Sequence, residues 1–290
     1  MTSERAWGVY RELVHSPGRE TDDALVLQAV AECLTREGIP TLLKTAEDVA
    51  LAAGDRDPPE SLFVMCERLP VLETLAGWES RGACVVNRPG AVRNTYRDRT
   101  AAIFAREGIP FPSSVLVSTS EPHPAGPDGG ADLSGVWIKR GDVHATQEGD
   151  VVRLRDTAEA LAALENLRRR GVAHALLQEH VEGDLIKFYG VAAPEPGAPG
   201  WFQWFYHRDQ DIRNHPFDPA VLRRGAESAS AALDLEVWGG DAIVPAGGDP
   251  VVIDLNAWPS FALFRETAAA RIAARLAARF RSRVRTRVTE

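Results

Sequence analysis

The stretch Val251-Val-Ile-Asp-Leu-Asn-Ala-Trp-Pro259 constrains this chain more than any other. Apolar residues lead into Asp254, and one leucine separates it from Asn256. Successive side chains of a strand point to opposite faces, so Asp254 and Asn256 share a face. Upstream, Trp238-Gly-Gly-Asp-Ala-Ile-Val244 carries Asp241, and Gly247-Gly248-Asp249 supplies a turn. A hairpin over these two segments brings Asp241 beside Asp254 and Asn256. Two carboxylates and an amide oxygen on one sheet face suit Mg²⁺, a hard cation that takes oxygen ligands and is completed by water or phosphate oxygens.

A chain of 290 residues can bury a full core and hold two or three subdomains. Its net charge of -8 argues against a nucleic-acid partner, which requires a basic footprint. The longest apolar runs are too short to span a bilayer and the N-terminus lacks a signal-peptide core, so no membrane partner is expected. Cys33, Cys66 and Cys84 are widely spaced. They imply a reduced, cytoplasmic protein and show no zinc spacing. A homodimer is compatible with the sequence. Of the 33 Lys and Arg residues, only Lys44, Lys139 and Lys187 are lysines. In an arginine-dominated chain, a lysine at a motif position stands out for its compact point charge, which suits a phosphate group.

In chain order, Ala6–Tyr10, Pro40–Lys44, Ser61–Cys66 and Ala83–Val86 read as strands with helical segments between them. Thr21-Asp-Asp leads an apolar-periodic helix closed by Gly38. Alternating strands and helices imply a small parallel α/β unit. It has neither the glycine fingerprint of a dinucleotide fold nor that of a phosphate-binding loop. Asn87-Arg-Pro-Gly90 reads as a turn, and Asn94–Thr100 opens a helix ending near Gly108. Val136–Arg140 is a strand bearing Lys139, followed by the polar loop Gly141–Asp150 with His144. That loop has glycine near both ends and reads as a flap that closes over the site. Ala175–Val181 runs from strand into linker, and Leu185–Val191 is a strand bearing Lys187. Trp201–Tyr206 is an aromatic strand, and after it comes a cationic cluster of His207, Arg208, Arg213 and His215. Asp218-Pro219 begins a helix to about Leu233. Ala268–Arg283 reads as a terminal helix.

This order of motifs resembles the ATP-grasp superfamily over roughly residues 85–263. The matching pieces are Asn87-Arg-Pro89, Arg97-Asp-Arg99, Lys139, Gln178-Glu179, Asp241, and Asp254-Leu-Asn256 with Pro259. The resemblance implies an α/β fold: an N-terminal parallel α/β domain over residues 1–92, then two α+β subdomains over 93–176 and 177–290 clasping the nucleotide. It implies ATP and Mg²⁺ as cofactors. Arg99, which stands where the family has a lysine, Lys139, Gln178, Glu179 and Val181 would bind nucleotide. Glu182 or Asp184 would hold the ribose hydroxyls. Asp241, Asp254 and Asn256 would hold the metal, and Lys187, Arg213 and His144 would take catalytic roles. His207, Arg208, Arg213 and His215 would clamp a small anionic substrate, with Ser260 adding a hydroxyl. The expected activity is transfer of the γ-phosphoryl group to a carboxylate in an ATP-dependent carboxylate–amine ligase. Lys139-Arg-Gly-Asp-Val-His-Ala-Thr146 is similar to the inositol-phosphate kinase subgroup, so a small-molecule kinase is the alternative. A non-catalytic nucleotide-binding module is a second one.

Overall fold

The computed structural model describes residues 5–54, 58–122 and 124–288. Four short strands, β1 (Ala6–Val9), β2 (Thr41–Lys44), β3 (Ser61–Val64) and β4 (Cys84–Val86), form a parallel sheet in the order β2-β1-β3-β4. The crossovers carry α1 (Glu20–Arg36), α2 (Ala46–Leu51) and α3 (Leu69–Ser80). Helix α2 is held at its start by a reciprocal pair, Thr45 with Asp48. Helix α1 begins one residue earlier than the sequence suggests. Arg19 stands at its N-cap and makes no side-chain cap bond.

The expected turn at Asn87-Arg-Pro-Gly90 opens instead into α4 (Pro89–Asn94), with proline at the first helical position where its missing N–H costs nothing. Helix α5 (Arg97–Glu107) follows and ends on Gly108 in the left-handed conformation. A second sheet is antiparallel, in the order β5-β8-β6-β7: β5 (Ser114–Ser118), β6 (Trp137–Arg140), β7 (Val151–Arg153) and β8 (His174–Gln178). Helix α6 (Thr157–Arg169), capped by Asp156, packs Leu164 and Leu167 into its core. A third antiparallel sheet runs β10-β9-β11-β12: β9 (Asp184–Val191), β10 (Trp201–Tyr206), β11 (Val237–Val244) and β12 (Val251–Ala257). Helix α7 (Pro219–Ala232), capped by Asp218, lies between β10 and β11 in the chain.

The last helix, α8 (Arg265–Val288), packs chiefly against α1 and also touches β4 and β9. Its Ala269, Ile272, Ala273, Leu276 and Phe280 meet Leu27, Val30 and Leu34 of α1 in one core with Tyr189 and Val191 of β9. The expected unit over residues 177–290 thus lends its terminal helix to the first sheet, because the alanine-rich stripe of α8 needs an apolar partner. Among the described residues, no helix is long and apolar enough to cross a membrane.

Asn87 joins the first and third sheets. Its side chain is fully buried. It donates to the Val237 carbonyl at 2.6 Å and accepts from the Glu236 and Val237 amides at 2.8 and 3.0 Å. Asn87→Ala should leave these three backbone groups buried without partners and cost about 3 kcal/mol. Urea denaturation followed by far-UV circular dichroism measures this, and a loss below about 1 kcal/mol would contradict the assigned role.

Candidate active site

Sheets two and three face each other across a cavity of about 560 Å³, within the ordinary range for a small-molecule site. Strand alternation decides what lines it. On β6, Trp137 and Lys139 face the cavity, while Ile138 packs into the second core. On the third sheet, residues in register form rows across the strands. Leu185 pairs with Ile243, giving an apolar row. Lys187 pairs with Asp241, and Asp241 with Asp254, giving a charged row. Tyr189 pairs with Gly239, and Gly239 with Asn256, giving a polar row. All eight line the cavity. Neighbouring rows are two residues apart along a strand, about 7 Å.

A register shift between Asp241 and Ala242 leaves Ile253 unpaired on β12. Such a bulge re-aims its strand, and here Ile253 and Asp254 both reach the cavity. The freed Ile253 carbonyl accepts from Lys139 Nζ at 3.2 Å.

The charged row is neutralised pairwise. Lys187 Nζ donates to Asp241 Oδ1 at 2.8 Å, and Arg97 donates to Asp254 Oδ2 at 2.8 Å. Burial pushes the Asp254 carboxyl up, but Arg97 and Lys139 overcome it and hold the group down at about 2. Burial drives Lys139 down to about 8, only partly opposed by Asp254. For Lys187, burial is outweighed by Asp241, which raises its pKa. Asp241 Oδ2, Asp254 Oδ1 and the Asn256 amide oxygen have no partner among the described residues. Three unpartnered oxygens on adjacent strands are the donor set a hard divalent cation takes.

The first sheet supplies a wall that the sequence reading did not foresee. Arg11 follows β1. It donates through Nε to Asp23 at 3.0 Å, and also to Glu67 and the Trp258 carbonyl. Ser16 donates to Asp23 at 2.7 Å. Arg11, His15, Ser16, Arg19, Asp23 and Glu67 all line the cavity. A signal for them existed. In the order β2-β1-β3-β4 the chain changes direction between β1 and β3, and ligands of open parallel sheets sit at the strand ends there. Arg11 and Glu67 follow those two strands.

Several expected residues lie elsewhere. Arg99 does not line the cavity; Arg97 does. Two positions apart on a helix do not share a face, and the Gly141 and Asp142 carbonyls accept from the Asp98 and Arg97 amides, which fixes the phase of α5. Asp184 is buried and accepts from the Arg213 and His215 amides at 2.6 and 2.8 Å. It folds the loop after β10 and is turned away from any ribose. Arg213 is largely exposed, pairs with Glu182 at 2.8 Å and lies outside the cavity wall. With His207, Arg208 and His215 also outside that wall, the expected anion clamp does not form there. His144 does line the cavity, but both ring nitrogens are engaged: Nδ1 with Glu67 at 2.5 Å, Nε2 with the His15 carbonyl at 2.8 Å. A carbonyl only accepts, so Nε2 carries a proton and no lone pair faces the cavity. His144 is a strap between loop and first sheet. The loop itself is pinned at its far end by buried Asp150, which accepts from the Thr146 amide at 2.7 Å, the Gln147 amide at 3.1 Å and Arg140 at 3.1 Å. Gln178, Glu179, Val181, Lys139, Lys187, Asp241, Asp254 and Asn256 all line the cavity.

No family model and no curated protein matches this chain. Solved structures do. The D-alanine–D-alanine ligase of Bacillus anthracis complexed with ATP superposes with a TM-score of 0.67 at 14% identity, covering 100% of this chain and 99% of that one. A RimK-domain ATP-grasp protein of Sphaerobacter thermophilus gives 0.63 at 18% identity, over 93% and 98%. The D-cycloserine synthetase DcsG gives 0.61 at 20%, over 95% and 99%. These likenesses show that the chain has the ATP-grasp fold.

Below about pH 8 the fold must carry Lys139 charged and buried, and this cost fades as pH rises toward the ordinary lysine value of 10.5. The unfolded chain binds the extra proton in that window, so this group's contribution to stability rises with pH. Lys139→Met should therefore be more stable than the native protein at pH 7, by on the order of 1–3 kcal/mol, with the gap narrowing above pH 8. Denaturant titrations at a series of pH values check the sign; a gap that widens with pH contradicts it.

Proposed function

We propose that this ATP-grasp chain is an ATP-dependent carboxylate–amine ligase working through an acyl phosphate. The observation that carries the reading is the charged row Lys187–Asp241–Asp254, faced by Lys139 and Arg97 across the cavity between the two sheets. Among the solved structures of the same fold named above is a D-alanine–D-alanine ligase held with ATP.

The row order gives a direction. At one end Leu185, Ile243, Ile253 and Trp137 offer apolar surface beside Gln178–Val181, where an adenine ring lies flat and its edge meets backbone groups. The charged row follows, where phosphates meet Lys139 and Lys187. The polar row beyond takes the acceptor. The three unpartnered oxygens of Asp241, Asp254 and Asn256 would hold Mg²⁺, which supplies charge neutralisation on the phosphates.

In the first step an acceptor carboxylate oxygen attacks the γ-phosphorus. The bond to the β–γ bridging oxygen breaks, and ADP leaves with the electron pair. In the second step an amine attacks the acyl carbon, the C–N bond forms, and inorganic phosphate departs with its pair while the amine gives up a proton. The chain's contribution is position and charge. Lys139 and Lys187 stabilise the negative charge that builds on the transferring group.

The test follows an oxygen atom. With an acceptor carboxylate labelled with ¹⁸O, turnover should deliver one labelled oxygen into the released phosphate. Asp254→Asn should lower kcat on the order of a thousandfold, and because it leaves Arg97 uncompensated it should also cost about 3–5 kcal/mol of stability. Label retained wholly in the product, or ADP release driven by alcohols and not by carboxylates, would reject the ligase reading.

A further inference from the structure

The loop after β6 is held differently at its ends and in its middle. At the near end the Asp142 and Gly141 carbonyls accept from the Arg97 and Asp98 amides at 3.3 and 2.7 Å, and the Val143 carbonyl accepts from the Arg97 guanidinium. The far end belongs to Asp150. Burial pushes this carboxyl up, but the Thr146 amide and Arg170 hold it at about 2, so it stays charged at any ordinary pH. Between these anchors lie His144 and Ala145, and both line the cavity. Among the described residues, the hydrogen bonds that tie this pair down are those of the His144 imidazole, to Glu67 and to the His15 carbonyl.

Counting protons decides what kind of strap this is. The His15 carbonyl takes the Nε2–H, so a neutral ring turns the lone pair of Nδ1 toward Glu67 Oε2, 2.5 Å away. A lone pair and a carboxylate repel at that distance, so one proton lies between them. Burial, and then the charge of Arg11, push the His144 imidazolium down to about 4, which leaves the proton on Glu67. The surroundings agree. Glu12, Asp23 and Glu67 are all buried, and the guanidinium among them is that of Arg11, bonded to both Asp23 and Glu67. One cation does not balance three buried carboxylates, and burial raises the Glu12 carboxyl as well. The neighbouring elements bring no further charge. His15 is neutral, pushed down to about 4 by burial and by His144. Tyr96 donates to the Glu67 carbonyl, and burial pushes its phenol up. Arg97 and Asp254 neutralise each other, Arg140 is taken by Asp142 and Asp150, and Arg68 is exposed.

We propose that the proton between Glu67 and His144 is a latch: with it the His144–Ala145 segment is closed on the first sheet, and without it the segment lifts from the cavity rim, so the cavity opens as pH rises. The latch involves the loop and the first sheet alone and does not depend on the ligase reading. Its sign follows from the two states. In the open loop His144 is in water, where its ordinary value is 6.5, and Glu67 ionises beside Arg11. Above that pH the closed segment keeps a proton that the open one has given to solvent. Closing therefore takes up one proton, and each further pH unit disfavours it by up to about tenfold, until the pair itself titrates. The charged Asp150 keeps the far end pinned throughout, so the motion is confined to the segment between the anchors.

Hydrogen–deuterium exchange of the full chain measures the opening, read by mass spectrometry on a peptide spanning residues 143–147 and corrected for the intrinsic pH dependence of exchange. In the native protein the open fraction should rise at least threefold between about pH 6 and about pH 9, while peptides from β9 and β11 keep constant protection. Glu67→Gln gives Nδ1 a permanent N–H donor, so its loop should stay closed at every pH. His144→Ala removes the strap, so its loop should be open at every pH. A native loop whose opening is constant, or falls as pH rises, overturns the latch. So does a pH dependence that survives in His144→Ala or in Glu67→Gln, because it then comes from another group, such as Lys139. Either variant alone decides this should the other fail to fold.

Discussion

A carboxylate enclosed between two sheets stays charged only if cations are held against it, and Asp254 is that carboxylate. Its pairing with Arg97 brings the start of α5 onto β12. The field of Lys139 brings in β6 as well. Arg97 also donates to the Val143 carbonyl at 3.3 Å, so the loop after β6 is fixed by the same guanidinium. Removing one member of a buried pair typically costs about 3–5 kcal/mol, because the other charge is left uncompensated. Three elements from two sheets thus take their mutual positions from one neutralisation requirement. On the reading proposed above, a polyphosphate would meet cations already in place.

How much of this was legible beforehand follows from what each feature depends on. The parallel first sheet came from alternating strands and helices, a local pattern. Asp254 and Asn256 came from strand parity, Asp241 from the hairpin turn, and Lys139 and Lys187 from the scarcity of lysine, all local signals, and all five line the cavity. Arg97 and Arg99 could not be separated the same way. Which of them faces inward depends on the phase of α5, and that is set by backbone carbonyls about forty residues downstream. Asp184 shares its face of β9 with the buried Ile186 and Phe188, opposite Lys187, so the same parity turns it from the cavity, and two amides of a distant loop claim it. The return of α8 onto α1 is invisible in either helix alone, since each shows only an apolar stripe in need of a partner.

The first sheet is part of the site because of its topology. Reversal of strand order between β1 and β3 opens a crevice at their ends, and the chain fills it with Arg11 and Glu67. Glu12 secures the crevice from behind by accepting from the Glu67 and Arg68 amides at 3.0 and 3.1 Å. Arg11 then reaches the Trp258 carbonyl, so the strained turn that carries Ser260 is tied to β1 rather than to its own sheet alone. The loops of the first sheet are thereby bonded to the turn that follows β12.

The cationic cluster after β10 has its own physical account. Trp137 donates through its indole N–H to His180 Nδ1 at 3.0 Å. An indole only donates, so Nδ1 is the acceptor, and the ring proton sits on Nε2 facing Glu182 at 3.0 Å. The other oxygen of Glu182 takes Arg213. This chain of bonds starts in the cavity wall and ends on the exposed loop. Arg213, which sequence reasoning placed on the acceptor, instead anchors Glu182, and through it orients the indole at the apolar end of the cavity. The same loop folds back on Asp184 through its amides. What the sequence offered as an anion clamp is thus a support for the wall at the apolar end of the cavity.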